Sequence, residues 1–157
     1  MALTPAEFRR ALSVLAAGVC VVTVKDAAGR ATGMTATSVT SLSLEPPLVL
    51  VCVGRDAALH EAIVAAPTFG IVLLATGQEE LAVRFATRGQ QAFGGGEPAT
   101  PAGLPRLAGA LGALDCRRRD LLAGGDHSIV VGQVEWADTG PAQPLLYFRS
   151  RYVGLSP

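Results

Sequence analysis

Between Gly33 and Ser41 the chain sets five hydroxyls, Thr35, Thr37, Ser38, Thr40 and Ser41, among slim neighbours in the run GMTATSVTS. Hydroxyls and main-chain N–H groups donate hydrogen bonds, and small side chains let a flat polar ligand lie close to the backbone. The chemistry expected here is recognition of the polar edge of a ring system, or of a phosphate. An exposed β-face has the same composition, because Thr is a good strand former. Two other places offer charge. Gly124-Gly125-Asp126-His127 is a glycine turn presenting one of two histidines, either to a second ligand or to solvent. Arg55 follows an apolar strand and precedes Asp56, a residue suited to cap a short helix. A phosphate fits such a junction, held by guanidinium and helix N-terminus together; a plain surface arginine fits it equally. Asp56 itself would repel a phosphate that it faced.

Other chemistries find less support. No Ser sits in a nucleophile elbow, and no His and Cys are placed together, so hydrolysis by side chains alone is disfavoured. Cys20, Cys52 and Cys116 are far apart in apolar contexts, and only His60 and His127 could join them, so no metal site is expected. Buried thiols in a reducing cytoplasm are the simpler reading. Donors without catalytic side chains suit a bound cofactor that does the chemistry itself.

The elements that must position these residues are short. Thr4-Pro5-Ala6-Glu7 starts a helix with a capping box, Phe8, Leu12 and Leu15 share one face of it, and Gly18 ends it. Val19 to Val24 is a strand, Asp26 to Gly29 a turn, and a second strand returns through Gly33 to Ser38. Pro46-Pro47 precedes a buried strand, Leu48 to Val53. A short helix with Leu59 and Ile63 follows, then strand Phe69 to Leu74. A second capping box, Thr76 to Glu79, opens a helix stacking Leu81 on Phe85. Residues 90–103, with Gly94-Gly95-Gly96, form a long loop. Leu111 to Arg119, Ser128 to Trp136 and Leu145 to Tyr152 complete six or seven strands. Arg117-Arg118-Arg119 is followed by Asp120 and reads as a solvated strand face or an intersubunit ion pair.

With 157 residues the chain suits one domain, 1–157, with a sizeable core. Half the residues are apolar and mean hydropathy is +0.39. Yet no run reaches membrane-span length, and none resembles a signal peptide. The excess apolar surface is therefore expected inside, or between two copies of the chain. Thirteen basic and thirteen acidic residues cancel, leaving no footprint for nucleic acid. There is no βαβ alternation and no GxGxxG, which argues against a doubly wound dinucleotide fold. Closure into a small barrel with helices at its ends buries this much strand economically.

Several runs together carry a resemblance. Gly33-Met34-Thr35-Ala36-Thr37-Ser38 continues into Ser41-Leu42-Ser43-Leu44-Glu45-Pro46-Pro47-Leu48-Val49. Arg84-Phe85-Ala86, Gly103-Leu104-Pro105, Leu114-Asp115-Cys116, Gly125-Asp126-His127-Ser128 and Pro144 to Arg149 with Tyr152 support it. From Phe8 to Tyr152 the chain resembles the flavin reductase family with an FMN-binding split barrel, the small components of two-component flavin-dependent monooxygenases. The resemblance implies a mainly β fold, a split β-barrel of Greek-key type with short peripheral helices, paired as a homodimer. It implies FMN or FAD, bound non-covalently, with NADH or NADPH as hydride donor and a separate monooxygenase receiving the product. Thr35, Ala36, Thr37 and Ser38 would lie along the isoalloxazine ring. Ser41, Leu42, Cys52, Val53 and Arg55 would help to hold the ring and its ribityl phosphate. Phe85 and Arg88 would stand on the flavin side, Tyr147 and Arg149 nearby, and His127 would approach the nicotinamide. The run Asp56-Ala57-Ala58-Leu59 departs from the family, lacking the hydroxyl and cationic groups common there. A non-enzymatic flavin-binding electron-transfer protein, a reductase acting on a substrate held in the same site, and a purely structural barrel are the other readings.

Overall fold

The computed structural model describes residues 2–155. The elements in chain order are α1 (Pro5–Leu12), β1 (Ala17–Gly18), β2 (Cys20–Lys25), β3 (Ala31–Ala36), β4 (Val39–Ser43), β5 (Leu48–Gly54), α2 (His60–Ala65), β6 (Thr68–Leu73), α3 (Glu79–Ala86), β7 (Gly112–Gly124), β8 (His127–Thr139), β9 (Leu146–Phe148) and β10 (Arg151–Val153). The expectation of a mainly β fold with short helices holds. Seven strands form one antiparallel sheet in the order β3-β2-β6-β7-β8-β5-β4, and β1, β9 and β10 form a second, small one.

The pattern of β2 shows why its sequence is apolar throughout rather than alternating. Cys20, Val22 and Val24 join one buried cluster with Val51, Val53, Ile63, Phe69, Ile71 and Val130. Val19 and Val21, of opposite parity, join another with Val72, Leu74, Ala82, Phe85 and Leu145. A strand covered on both faces has no solvent side to mark with polar residues. The first cluster fills the inside of the curved sheet, and the second lies between the sheet and α3.

The two edge strands of the large sheet, β3 and β4, are consecutive in the chain, with only Thr37 and Ser38 between them. Two residues span only a few ångströms, so the sheet curls until its ends approach each other. Ser38 fastens the junction: its Oγ donates to Cys52 O at 2.9 Å and accepts from Cys52 N at 3.2 Å.

Several local expectations are corrected. The N-terminal helix is capped as read, with Thr4 and Glu7 bonded reciprocally, but it ends at Leu12, and Gly18 belongs to β1. The strand expected through Gly33 to Ser38 stops at Ala36, and a separate strand, β4, starts at Val39. Asp56 caps nothing: α2 begins at His60 with no side-chain cap and is held by buried Leu59 and Ile63. Thr76 does not cap α3 either, because its hydroxyl donates to Pro144 O at 3.0 Å. The last strand is two, β9 and β10, hinged at Arg149 and Ser150, both at positive φ. Arg117, Arg118 and Arg119 lie on β7, bonded within the chain to Glu135, to Ala66 O and to Gln133.

Candidate functional site

Main-chain parity on β3 decides which groups face outward. Gly33 N donates to Gln91 O and Ala31 O accepts from Phe93 N, both away from β2. In an antiparallel ladder the direction alternates by residue, so the N–H and C=O of Thr35 also point off the free edge. Residues 91–93 cover that edge only as far as Gly33. Thr35 N is therefore left as an open donor among the described residues.

Beside this edge lies a cleft of about 370 Å³. One wall is Met34 to Ser38; the other is Cys52, Gly54, Asp56, Ala57 and His127. The structure thus brings together Thr35, Ala36, Thr37, Ser38, Cys52 and His127, residues far apart in sequence. Two of the hydroxyls are spent within the protein. Thr35 Oγ1 donates to Ala82 O on α3 at 2.6 Å, and Ser38 Oγ is engaged twice by Cys52. These two anchor the wall from behind, and the donors left for a ligand are main-chain amides and the hydroxyl of Thr37, exposed on the same wall.

His127 opens β8 after a two-residue turn in which Gly125 has φ +69°, the positive value this turn needs at its first central position. Its Nδ1 lies 2.7 Å from Asp126 Oδ1. A carboxylate only accepts, so Nδ1 carries the proton in that bond and the ring is oriented by it. The hydrogen bond to His127, reinforced by that ring's charge, holds the Asp126 carboxyl below its ordinary range. Nε2 points back over Gly54: a Cβ built there would sit 3.7 Å from it and 3.0 Å from Asp56 Oδ1. The missing side chain at Gly54 keeps this part of the cleft floor flat.

Other expected residues lie elsewhere. Phe85 is fully buried in the second cluster, tilted against Phe93 at 4.8 Å, so it supports β3 and meets no ligand. Val53 points into the first cluster and is also fully buried. Ser41 and Leu42 are exposed on β4, outside the cleft. Arg55 has no helix N-terminus beside it; its N–H donates to Asp126 O at 3.0 Å and its side chain is exposed. Arg88 reaches the same corner, donating to Asp56 O at 2.7 Å. Tyr147 lines a second cleft of about 390 Å³ with Phe8, Leu12, Thr37 and Ser38, while Arg149 is exposed on the β9–β10 turn with its guanidinium over Phe148. Thr37 and Ser38 belong to both clefts.

Gly54 and the Asp126–His127 bond were not foreseen as site features. An invariable clue was lacking for Gly54, but the adjacency of Asp126 to a turn histidine was a usable signal. Cys20 and Cys116 are pushed up to about 12 by burial and take no part, and among the described residues no cluster suits a metal.

The fold and site define a class: a curled, mainly β protein that offers a slim, amide-edged cleft with a histidine opposite. The particular family follows from comparison. The model of the flavin reductase like domain matches residues 12–156, and the chain belongs to that family. It is 45% identical over 152 residues to the NADH:riboflavin 5'-phosphate oxidoreductase of Streptomyces pristinaespiralis, covering 94% of this chain and 86% of that one. It is 41% identical over 150 residues to the reductase component of a 4-nitrophenol 4-monooxygenase/4-nitrocatechol 2-monooxygenase from Rhodococcus opacus, covering 96% and 80%. The NADH:FAD oxidoreductase of Streptomyces globisporus, solved in complex with NAD and FAD fragments, superposes with a TM-score of 0.92 at 37% identity, covering 100% of this chain and 98% of that one.

Proposed function

We infer that the chain is an NAD(P)H-dependent flavin reductase that supplies reduced FMN or FAD to a separate monooxygenase. The observation that carries this is the open Thr35 amide edge facing His127 across a slim cleft. The residues fit a flavin: Ala36 and Gly54 leave room for a flat ring, and the free edge of β3 offers donors to its polar rim. Bound there, a flavin supplies the redox chemistry by taking a hydride from a reduced nicotinamide.

The chain's own part is positioning and electrostatics. Thr35 to Ser38 set the plane of the ring and aim fixed amide dipoles at the edge where negative charge develops. The hydroxyls of Thr35 and Ser38, tied to Ala82 and Cys52, keep those dipoles still. His127, oriented by Asp126, presents Nε2 as an acceptor for the carboxamide of the nicotinamide. No protein base is needed for hydride transfer itself. Arg55 and Arg88 supply the positive charge near the phosphate end. Cys52, held by Ser38, forms part of the opposite wall, and Tyr147 bounds the site beyond Ser38. Names of relatives, which include NADH-dependent reductases of both flavins and a monooxygenase reductase component, support this reading.

The chain acts as one domain, since β2 and β6 contribute to both buried clusters. It pairs with a second copy: α1 buries none of its residues, and Phe8, Leu12 and Leu15 are exposed beside Tyr147. Among the described residues no helix is long and apolar enough to cross a membrane.

The decisive assay gives the purified protein NADH or NADPH with FMN, FAD or riboflavin and follows loss of nicotinamide absorbance. Turnover with at least one pair is expected. A protein that stays yellow through purification and shows no turnover would favour the electron-transfer reading instead.

A further inference from the structure

We propose that the Asp56 carboxylate makes the cleft hold reduced flavin less tightly, relative to oxidised flavin, than its shape and amides alone would. The proposal rests on the flavin reductase reading. Hydride transfer moves one proton and an electron pair: the neutral reduced nicotinamide becomes a cation, and the neutral ring becomes an anion near neutral pH. The product thus carries a negative charge that the substrate lacks, and this difference is what a fixed charge in the cleft can read.

Asp56 is the one carboxylate lining the cleft, and among the described residues no lysine or arginine lines it. Its Oδ1 stands 3.0 Å from the point a Cβ on Gly54 would occupy, so the group leans over the floor and not away from it. Neighbouring charges do not cancel it at that point. The Arg88 guanidinium donates to the main-chain oxygen of Asp56 and not to its carboxylate. Arg55 is exposed outside the lining, and Asp126 is bonded to His127. Asp56 is itself exposed, so water and salt weaken its field, and an effect of about fivefold is the expected scale. The amides of Thr35 to Ser38 draw the anion in, and Asp56 limits that gain. A reductase whose product must leave needs both.

Riboflavin, which has no phosphate, isolates the charge of the ring. Fluorescence quenching gives its affinity when oxidised, and an anaerobic titration gives the midpoint potential of the bound ring. In Asp56→Asn the preference for reduced over oxidised riboflavin rises about fivefold, which raises the bound potential by about 20 mV at the two-electron slope. Asp56→Glu stays near wild type, and Asp56→Ser repeats the Asp56→Asn shift should that variant fold poorly. The shift shrinks as salt is raised to about 1 M. Equal potentials in wild type and both neutral variants, or an equal rise in Asp56→Glu, would overturn the proposal. If wild type binds no riboflavin at all, the flavin reductase reading falls first and takes the proposal with it.

Discussion

The two walls of the cleft are built on opposite principles. The β3 wall is fixed several times over. Thr35 is tied to α3, Ser38 holds both polar main-chain groups of Cys52, and Gly33 is hemmed in by Val21, Phe85 and Phe93. The facing corner is loose: Arg55, Asp56 and Asp126 are exposed, and α2 starts without a side-chain cap. The rigid wall can define a shape because its groups have nowhere else to go. The exposed corner can only tune charge and exchange, since its contacts are screened and individually weak. Shape and charge are thus divided between the β3 wall and the corner that follows β5, and Ser38 ties the two sides together through Cys52.

Substitutions on the two sides should therefore differ in kind. The largest effect is expected from Gly33→Val. An added Cβ would lie 2.9 Å from Val21 Cγ1, 3.1 Å from Phe93 and 3.2 Å from Phe85, so the wall must shift. Overpacking of this sort costs about 3 kcal/mol. That lowers the melting temperature by roughly 6–12 °C, and flavin binding goes with it. At the corner, Asp56→Ala should move the melting temperature by no more than about 2 °C. If the two variants melt together, the division of the cleft into a stiff and a soft side is wrong.

Ser38→Ala comes next and tests the seam between the walls. It leaves the N–H and C=O of Cys52 without their partner in a half-buried position. The loss expected is about 1–3 kcal/mol of stability. Flavin affinity should fall about tenfold, the equivalent of about 1.4 kcal/mol, as Cys52 and Thr37 drift apart. Fluorescence titration and melting on one sample measure both; unchanged flavin affinity despite lost stability would show that the seam serves the fold alone.

Much of this was legible before the structure, and the failures share a cause. The helix cap at Thr4, the β2–β3 hairpin and the Gly125 turn all depend on neighbours in the chain, and local chemistry specifies them. The Thr35 to Ser38 run lines a cleft, but two of its hydroxyls, on Thr35 and Ser38, bond within the protein and not toward that cleft. Which face of β3 carries Thr35 depends on strand parity, and both faces of β2 and β3 meet apolar partners or α3. Composition therefore gives no sign of direction. Phe85 failed for the same reason, since a helical aromatic looks alike whether it faces a core or a ligand. Asp56 and Thr76 satisfy capping rules, yet Asp56 leans over Gly54 and Thr76 bonds Pro144, contacts that sequence spacing does not show. The break at Arg149-Ser150 has no glycine or proline to announce it. Gly54 matters only through Asp56 and His127, which fold onto it from either side.

The smallest effect belongs to the loose corner and is the sharpest test of how it works. His127→Ala should raise KM for NADH about tenfold, the loss of one hydrogen bond of roughly 1.4 kcal/mol, with oxidised-flavin affinity little changed. Asp126→Asn leaves the imidazole in place but replaces a charged acceptor with a neutral one, so KM should rise only about threefold. The pH dependence separates orientation from simple contact. His127 lowers the pKa of Asp126 in the folded chain. Its favourable contribution is therefore fully present above the ordinary carboxylate value of about 3.9, and is lost as pH falls through the depressed folded value. Wild type should keep its advantage in KM over Asp126→Asn at neutral pH, and the stability that ionised Asp126 adds should be lost only in strong acid, wherever the protein survives to be measured. Because Asp126 is exposed, the accompanying difference in melting temperature is small and should fade in the same direction with added salt. Equal KM values for the two proteins at neutral pH would mean that His127 needs no neighbour to hold it. The corner would then be soft in orientation as well as in charge.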